Sequence, residues 1–345
     1  MEVTIKQEQL AFLFEAWKDD YVIYGPKRFA DDGCFSDTDT IRYGEISGPE
    51  EIVFDEKSQY SFKEALLPAY QTLFYFTEDA VKEADGPEKE AIVFLRSCDL
   101  HSVKRLDEIY LSNGPEDFYY KRLREKIHFV WMSCPEVFEN CFCQTMGTDQ
   151  PEDYDMGVKW EGGMVKIDCR KKEWVSLLEP FMKDKDAVEA KAPLRNTFEE
   201  GAGKDVRIPE SLSIDVAKSD IWRDYDGRCI ACGRCNFVCP TCTCFTMQDL
   251  FYSENGRAGE RRRVWASCMV DGYTDVAGGG SYRQKNGERM RFKVLHKILD
   301  YKQRNGYHMC VGCGRCDDVC PEYISFSDCI NKLEDAMKEV SADDE

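Results

Sequence analysis

Cys229-Ile-Ala-Cys-Gly-Arg-Cys-Asn-Phe-Val-Cys-Pro240 returns further along the chain as Cys310-Val-Gly-Cys-Gly-Arg-Cys-Asp-Asp-Val-Cys-Pro321. Each run sets three thiols at two-residue intervals, then a fourth beside a proline. Three such thiolates wrap three irons of a [4Fe-4S] cube, and the fourth reaches the cube held by the other run. The expected ligand sets are therefore crossed. One is Cys229, Cys232, Cys235 and Cys320; the other is Cys310, Cys313, Cys316 and Cys239. Zinc sites instead pair two short Cys-x2-Cys knuckles. Two cubes side by side, each a one-electron store, imply electron transfer.

Composition bounds the rest. A chain of 345 residues exceeds the size one core usually serves, so two domains are expected, and a hydrophobic content of 43% fills both. With 46 basic against 65 acidic side chains the net charge is −19, which opposes a phosphate backbone and leaves nucleic acid out of the expected partners. Residues 1–21 scatter Lys6, Glu8, Glu15, Lys18, Asp19 and Asp20 among their apolar positions, leaving no uninterrupted signal-peptide core. Apolar runs such as Ala91–Leu95 are far too short to span a bilayer. A soluble, cytoplasmic chain that does not enter a membrane is the expectation. In that reducing compartment the 18 cysteines are free for metal.

The fold class expected is α+β overall: an N-terminal α/β domain over 1–200, a linker over 201–221, and a dicluster ferredoxin-like domain over 222–345. The last is read as α-helical, with a long insertion over Thr241–Met309. Thr4 with Gln7 reads as a capping box, and Leu10, Leu13, Phe14, Trp17 and Tyr21 recur behind it at helical spacing. Ala91–Leu95 and Ile127–Met132 read as short buried strands, the first followed by a helix over Leu100–Leu111. Cys98 and Cys134 then fall just past two strand ends, where open α/β sheets hold ligands. Phe326, Ile330, Leu333, Met337 and Val340 form a helical stripe that closes the second domain.

The remaining cysteines form two candidate groups. Cys242, Cys244 and Cys268 invite a third [4Fe-4S] cluster but lack an obvious fourth ligand. Cys98, Cys134, Cys141 and Cys143 either close a metal site of their own, or lend one thiol to that set, or pack as small hydrophobes. Cys34, Cys169 and Cys329 stand apart and read as structural. Arg228, Arg234 and Arg315 bracket the runs, where positive charge raises a cluster's potential. The basic run Arg261–Arg263 reads as a solvated face. The four histidines are scattered, and no nucleophilic triad or dinucleotide fingerprint is legible, so no catalytic residue is assigned.

Several phrases carry a resemblance: Cys239-Pro-Thr-Cys-Thr-Cys244, Arg261-Arg-Arg-Val-Trp-Ala-Ser-Cys268, Ala277-Gly-Gly-Gly280, Arg289-Met-Arg291, His296-Lys297 and Cys310-Val-Gly-Cys-Gly-Arg-Cys316. With Phe35-Ser-Asp-Thr-Asp39, Leu73-Phe-Tyr-Phe76, Cys98-Asp99, Tyr110-Leu-Ser-Asn-Gly114 and Cys141-Phe-Cys143, they resemble the iron-sulfur electron-transfer component of the anaerobic, NADH-dependent sulfite reductase. The resemblance implies an oxidoreductase complex in which this chain passes electrons from an NADH-oxidising flavoprotein subunit to a siroheme subunit that reduces sulfite to sulfide. It implies no substrate chemistry on this chain alone. A rival resemblance, carried by the second domain, is to the β (iron-sulfur) subunit of soluble nickel-iron hydrogenases or sulfhydrogenases.

Overall fold

Alternation along two short apolar runs decides how the first half of the chain is layered. In Glu90–Leu95, Ile92 and Phe94 point into one core while Val93 and Leu95 point into another. Val130 and Met132 of Ile127–Met132 join the first core, and Ile127, Phe129 and Trp131 the second. Strands apolar on both faces belong in the middle of a covered parallel sheet.

The computed structural model describes residues 1–33, 37–182 and 194–343; Cys34 and Phe35 lie outside them. The strands that matter are β1 (Glu2–Lys6), β2 (Tyr21–Phe29), β3 (Thr40–Glu45), β4 (Tyr70–Phe76), β5 (Val81–Glu83), β6 (Glu90–Leu95), β7 (Ile127–Met132), β8 (Met156–Glu161), β9 (Met164–Cys169), β10 (Phe245–Phe251) and β11 (Gly259–Trp265). The chain divides into two compact units. The first comprises residues 1–67, 85–138 and 148–200; the second comprises 68–84, 139–147 and 201–345.

The first unit is a mixed sheet in the order β1-β9-β8-β7-β6-β2-β3, parallel from β8 through β2 and antiparallel towards both edges. Leu13, Phe14 and Trp17 of the helix Ala11–Trp17, with Trp174 and Leu178 of the helix Lys172–Met182, cover one face. Leu100, Val103 and Leu106 of Ser97–Asp107 cover the other. The helix expected over Leu100–Leu111 thus starts earlier and ends in a π-helical turn, Glu108–Ser112. The capping reading at Thr4 is corrected. Thr4 lies in β1, where buried Val3 and Ile5 alternate with it against β9, and the helical entry is made by Lys6, whose N–H donates to Gln9 Oε1 at 2.8 Å. Tyr21 opens β2 instead of closing the helix.

The second unit combines a helical core with an antiparallel sheet of order β10-β11-β4-β5. Trp222, Tyr225, Met290, Val294, Ile298, Phe326, Ile330 and Leu333 fill the core. The expected linker over 201–221 is part of it: Val206 and Val216 are buried, and Trp222 Nε1 donates to the Val216 carbonyl at 2.8 Å. Its polar appearance reflects a surface segment pinned by few apolar anchors. Residues 68–84 and 139–147 depart from the expected N-terminal block. Phe74 pairs with Arg261 through β4 and β11, and Phe142 packs in the second core. Among the described residues no helix is long and apolar enough to cross a membrane.

Candidate metal centre

The two cysteine runs fold alike because the same left-handed turns recur in them. Ala231 and Gly233 have φ of 55° and 75°, and their counterparts Gly312 and Gly314 have 64° and 69°. These turns curl the backbone so that amides face sulfur: Ala231 N–H donates to Cys229 Sγ at 3.4 Å, and Gly312 N–H to Cys310 Sγ at 3.5 Å. Ile324 N–H reaches Cys320 Sγ at 3.3 Å. Short helices, Arg234–Phe237 and Arg315–Asp318, then carry the third thiol of each run inward.

Cys229, Cys232, Cys235 and Cys320 line one cavity, walled by Ile230, Met269, Met290, Ile324 and Phe326. Cys229 feels the charges of Cys235, Cys232 and Cys320. Cys310 feels Cys239 and Cys313, and so does Cys316. Both crossed sets therefore gather. Among the described residues no three His, Cys, Asp or Glu close on a point as one ion requires; the first set instead rims a hollow with apolar walls, which suits a cage. Burial pushes the Cys310 thiol up to about 12, and raises Cys316 and Cys229 too.

Two cations missed by sequence reasoning face these sulfurs. Lys293, on the helix Asn286–Leu295, and Lys297, in the π-helical turn His296–Asp300, are 4% and 3% exposed. Lys293 hydrogen-bonds Cys235 and feels Cys316 and Cys242. Lys297 donates to Thr241 Oγ1 at 2.8 Å and feels Cys239, Cys242 and Cys310. Despite a desolvation that favours the neutral amine, the surrounding sulfur charge lifts both above the usual lysine value. The signal was present as an i, i+4, i+8 series, Arg289, Lys293 and Lys297, but such a basic stripe reads as a solvent face. Of the arginines expected near the runs, Arg315 is buried, while Arg228 and Arg234 are exposed. Arg261 pairs across strands with Asp249 while staying exposed, Arg262 pairs with Glu260 of its own strand, and Arg263, buried, reaches Gln71 at 3.0 Å, so the expected solvated face is only partly exposed.

The other thiols separate. Cys242 donates to Cys239 and lowers its pKa, and Cys268 donates to Cys244, which is drawn down to about 6. Asn236 Nδ2 donates to Cys268 Sγ at 3.2 Å. Cys242, Cys244 and Cys268 thus lie in one neighbourhood. The second candidate group does not sit within one unit: Cys98 and Cys134 belong to the first, Cys141 and Cys143 to the second. Cys98 follows β6, and Cys134 follows β7 with its N–H bonded to Asn196 Oδ1 at 2.9 Å. Cys141 instead meets the second run, donating from Sγ to the Cys313 carbonyl at 3.4 Å. Cys169 and Cys329 are buried, each pushed up to about 11 by desolvation.

Residues 228–324 match the 4Fe-4S dicluster domain family. The chain is 31% identical to the sulfhydrogenase 2 subunit beta of Pyrococcus furiosus, across 97% of this chain and 99% of that one. It belongs to that family of beta subunits. The protein is accordingly an iron-sulfur subunit with two [4Fe-4S] clusters. No solved structure matches it. This relative carries the hydrogenase-type name, not the sulfite reductase name to which the sequence phrases pointed.

Proposed function

We propose that this chain is the electron-transfer subunit of a multi-subunit oxidoreductase of the sulfhydrogenase type. The observation that carries the reading is the pairing of crossed thiol sets in one helical unit with full-length similarity to a sulfhydrogenase beta subunit. Cys229, Cys232, Cys235 and Cys320 hold one cube; Cys310, Cys313, Cys316 and Cys239 hold the other. When bound, each cube stores a single electron. The chain's own groups do the rest: Ala231 and Gly312 amides donate to sulfur, Lys293 and Lys297 supply positive charge, and Met269, Met290, Ile324 and Phe326 limit water.

Partners follow as part of the proposal: a flavin subunit that exchanges electrons with NADH and a catalytic subunit bearing the substrate chemistry. A second reading, the sulfite reductase complex with a siroheme partner, rests on phrases such as Leu73-Phe-Tyr-Phe76 and Tyr110-Leu-Ser-Asn-Gly114. Anaerobic copurification separates the two. A nickel-containing partner supports the first; a siroheme-containing partner replaces it with the second. We also propose a third cluster at Cys242, Cys244 and Cys268, whose thiols share one neighbourhood. Iron analysis tests it, because about twelve irons per chain means three cubes and about eight rejects the third.

A further inference from the structure

Lys293 and Lys297 occupy a costly position for cations. Both ammonium groups sit inside the second unit, four residues apart, and the negative charges that act on them come from sulfur. Taking an ammonium out of water is unfavourable unless an anion faces it. Neutral thiols do not meet that need. Four thiolates around an iron-sulfur core do, since their summed charge exceeds that of the core and the cage is anionic in both redox states. Reduction adds one more negative charge, so a fixed cation nearby favours the reduced state and raises the potential.

The two lysines are placed differently. Lys293 hydrogen-bonds Cys235 of the first set and also faces Cys316 of the second. Its ammonium lies 5.2 Å from the centre of the Phe326 ring, which fixes it between them. Lys297 faces Cys239 and Cys310, both of the second set, and Cys242, but no thiol of the first set, and its carbonyl accepts from Met309 N–H at 2.9 Å, tying it to the start of the second run. A π-helical turn carries Lys297, and such turns recur at functional positions.

We infer that these are potential-setting residues: Lys293 raises the potentials of both cubes, and Lys297 raises that of the second cube and not that of the first. The inference rests on the ligand sets proposed above. It is tested by redox titration of the anaerobically purified full chain, followed by paramagnetic resonance, for wild type, Lys293→Met and Lys297→Met. The signal lost in Cys313→Ala identifies the second cube. At a fixed applied potential, Lys293→Met lowers the reduced-to-oxidised ratio of both cubes at least tenfold, a shift of 59 mV for a one-electron couple. Lys297→Met does so for the second cube and leaves the first unmoved, and Lys293→Arg recovers most of the loss. Should the methionine variants fail to load iron, Lys293→Gln and Lys297→Gln carry the same expected pattern. Wild-type signals with unmoved potentials in the variants, or equal shifts of both cubes in Lys297→Met, overturn the inference while leaving the ligand sets standing. Absence of any iron-sulfur signal from wild type overturns the ligand sets themselves and the inference with them.

Discussion

Ala231 and Gly312 hold the same place in the two cysteine runs, and substitution at each separates backbone strain from crowding. Both are left-handed, at φ of 55° and 64°. An L side chain pays about 1–2 kcal/mol for that conformation. At Gly312 a second cost enters, because an added Cβ would stand 2.5 Å from the Phe142 carbonyl oxygen and 2.7 Å from the Cys143 amide nitrogen. Those are backbone atoms. They are held by the Phe142 N–H bond to the Gly312 carbonyl at 2.8 Å, so the 139–147 segment cannot shift without breaking it. Overpacking of this kind costs about 1–3 kcal/mol. Gly312→Ala should therefore destabilise the second unit by roughly 2–5 kcal/mol in all. Ala231→Gly should relieve strain and raise stability by up to about 1 kcal/mol. Anaerobic denaturant unfolding of the cluster-loaded protein reads both, as midpoint shifts at unchanged slope. A Gly312→Ala variant that loses less than about 1 kcal/mol would refute the packing of residues 139–147 on the second run.

Cys232→Ala and Cys313→Ala should each strip one cube, lowering bound iron by about four per chain and stopping electron flow through the complex; unchanged iron in either rejects its ligand role. Leu333→Ala, at a fully buried position of the second core, should cost about 2–5 kcal/mol, measured by denaturant unfolding. His128 gives the first unit a pH dependence. Burial pulls its pKa down, but hydrogen bonds to Asp155 and Glu90 outweigh that and raise it above the ordinary histidine value. Its stabilisation is therefore complete below about 6.5 and is lost as pH rises through the raised folded value. His128→Gln should flatten the fall in stability over that window, and a slope identical to wild type would rule His128 out as its source.

The parts of the fold legible in sequence were those that chemistry or local pattern dictates alone. Cluster ligation demands fixed thiol spacing, so both runs were readable. Short runs of consecutive apolar residues, Ala91–Leu95 and Phe129–Met132, mark doubly buried strands, so β6 and β7 were readable too. Short strands were not: in Glu2–Lys6 only Val3 and Ile5 are buried, too few to tell a strand from a helix preface. Non-local pairing hid more. Nothing in Tyr70–Phe76 announces that it pairs with Gly259–Trp265, or that Asn140 and Phe142 lie against Gly314 and Gly312. The lysines were missed for a physical reason, since a charged helical stripe faces water unless buried anions, unseen in the sequence, hold it.

The repeat's halves have come to differ in a way that bears on the relay. Cys232 and Ile230 of the first run are exposed, whereas Cys313 is buried and the segment 139–147 closes over Gly312 and Gly314. Removing water from around a cage makes the extra charge of reduction harder to hold, so sealing by itself drives the second cube's potential below the first's. Lys297 acts against this on the second set, and Lys293 acts on both. Burial and cation placement therefore oppose each other where burial is greatest. Two neighbouring stores of unequal solvation can in this way stay close in potential, which passage of single electrons in either direction requires.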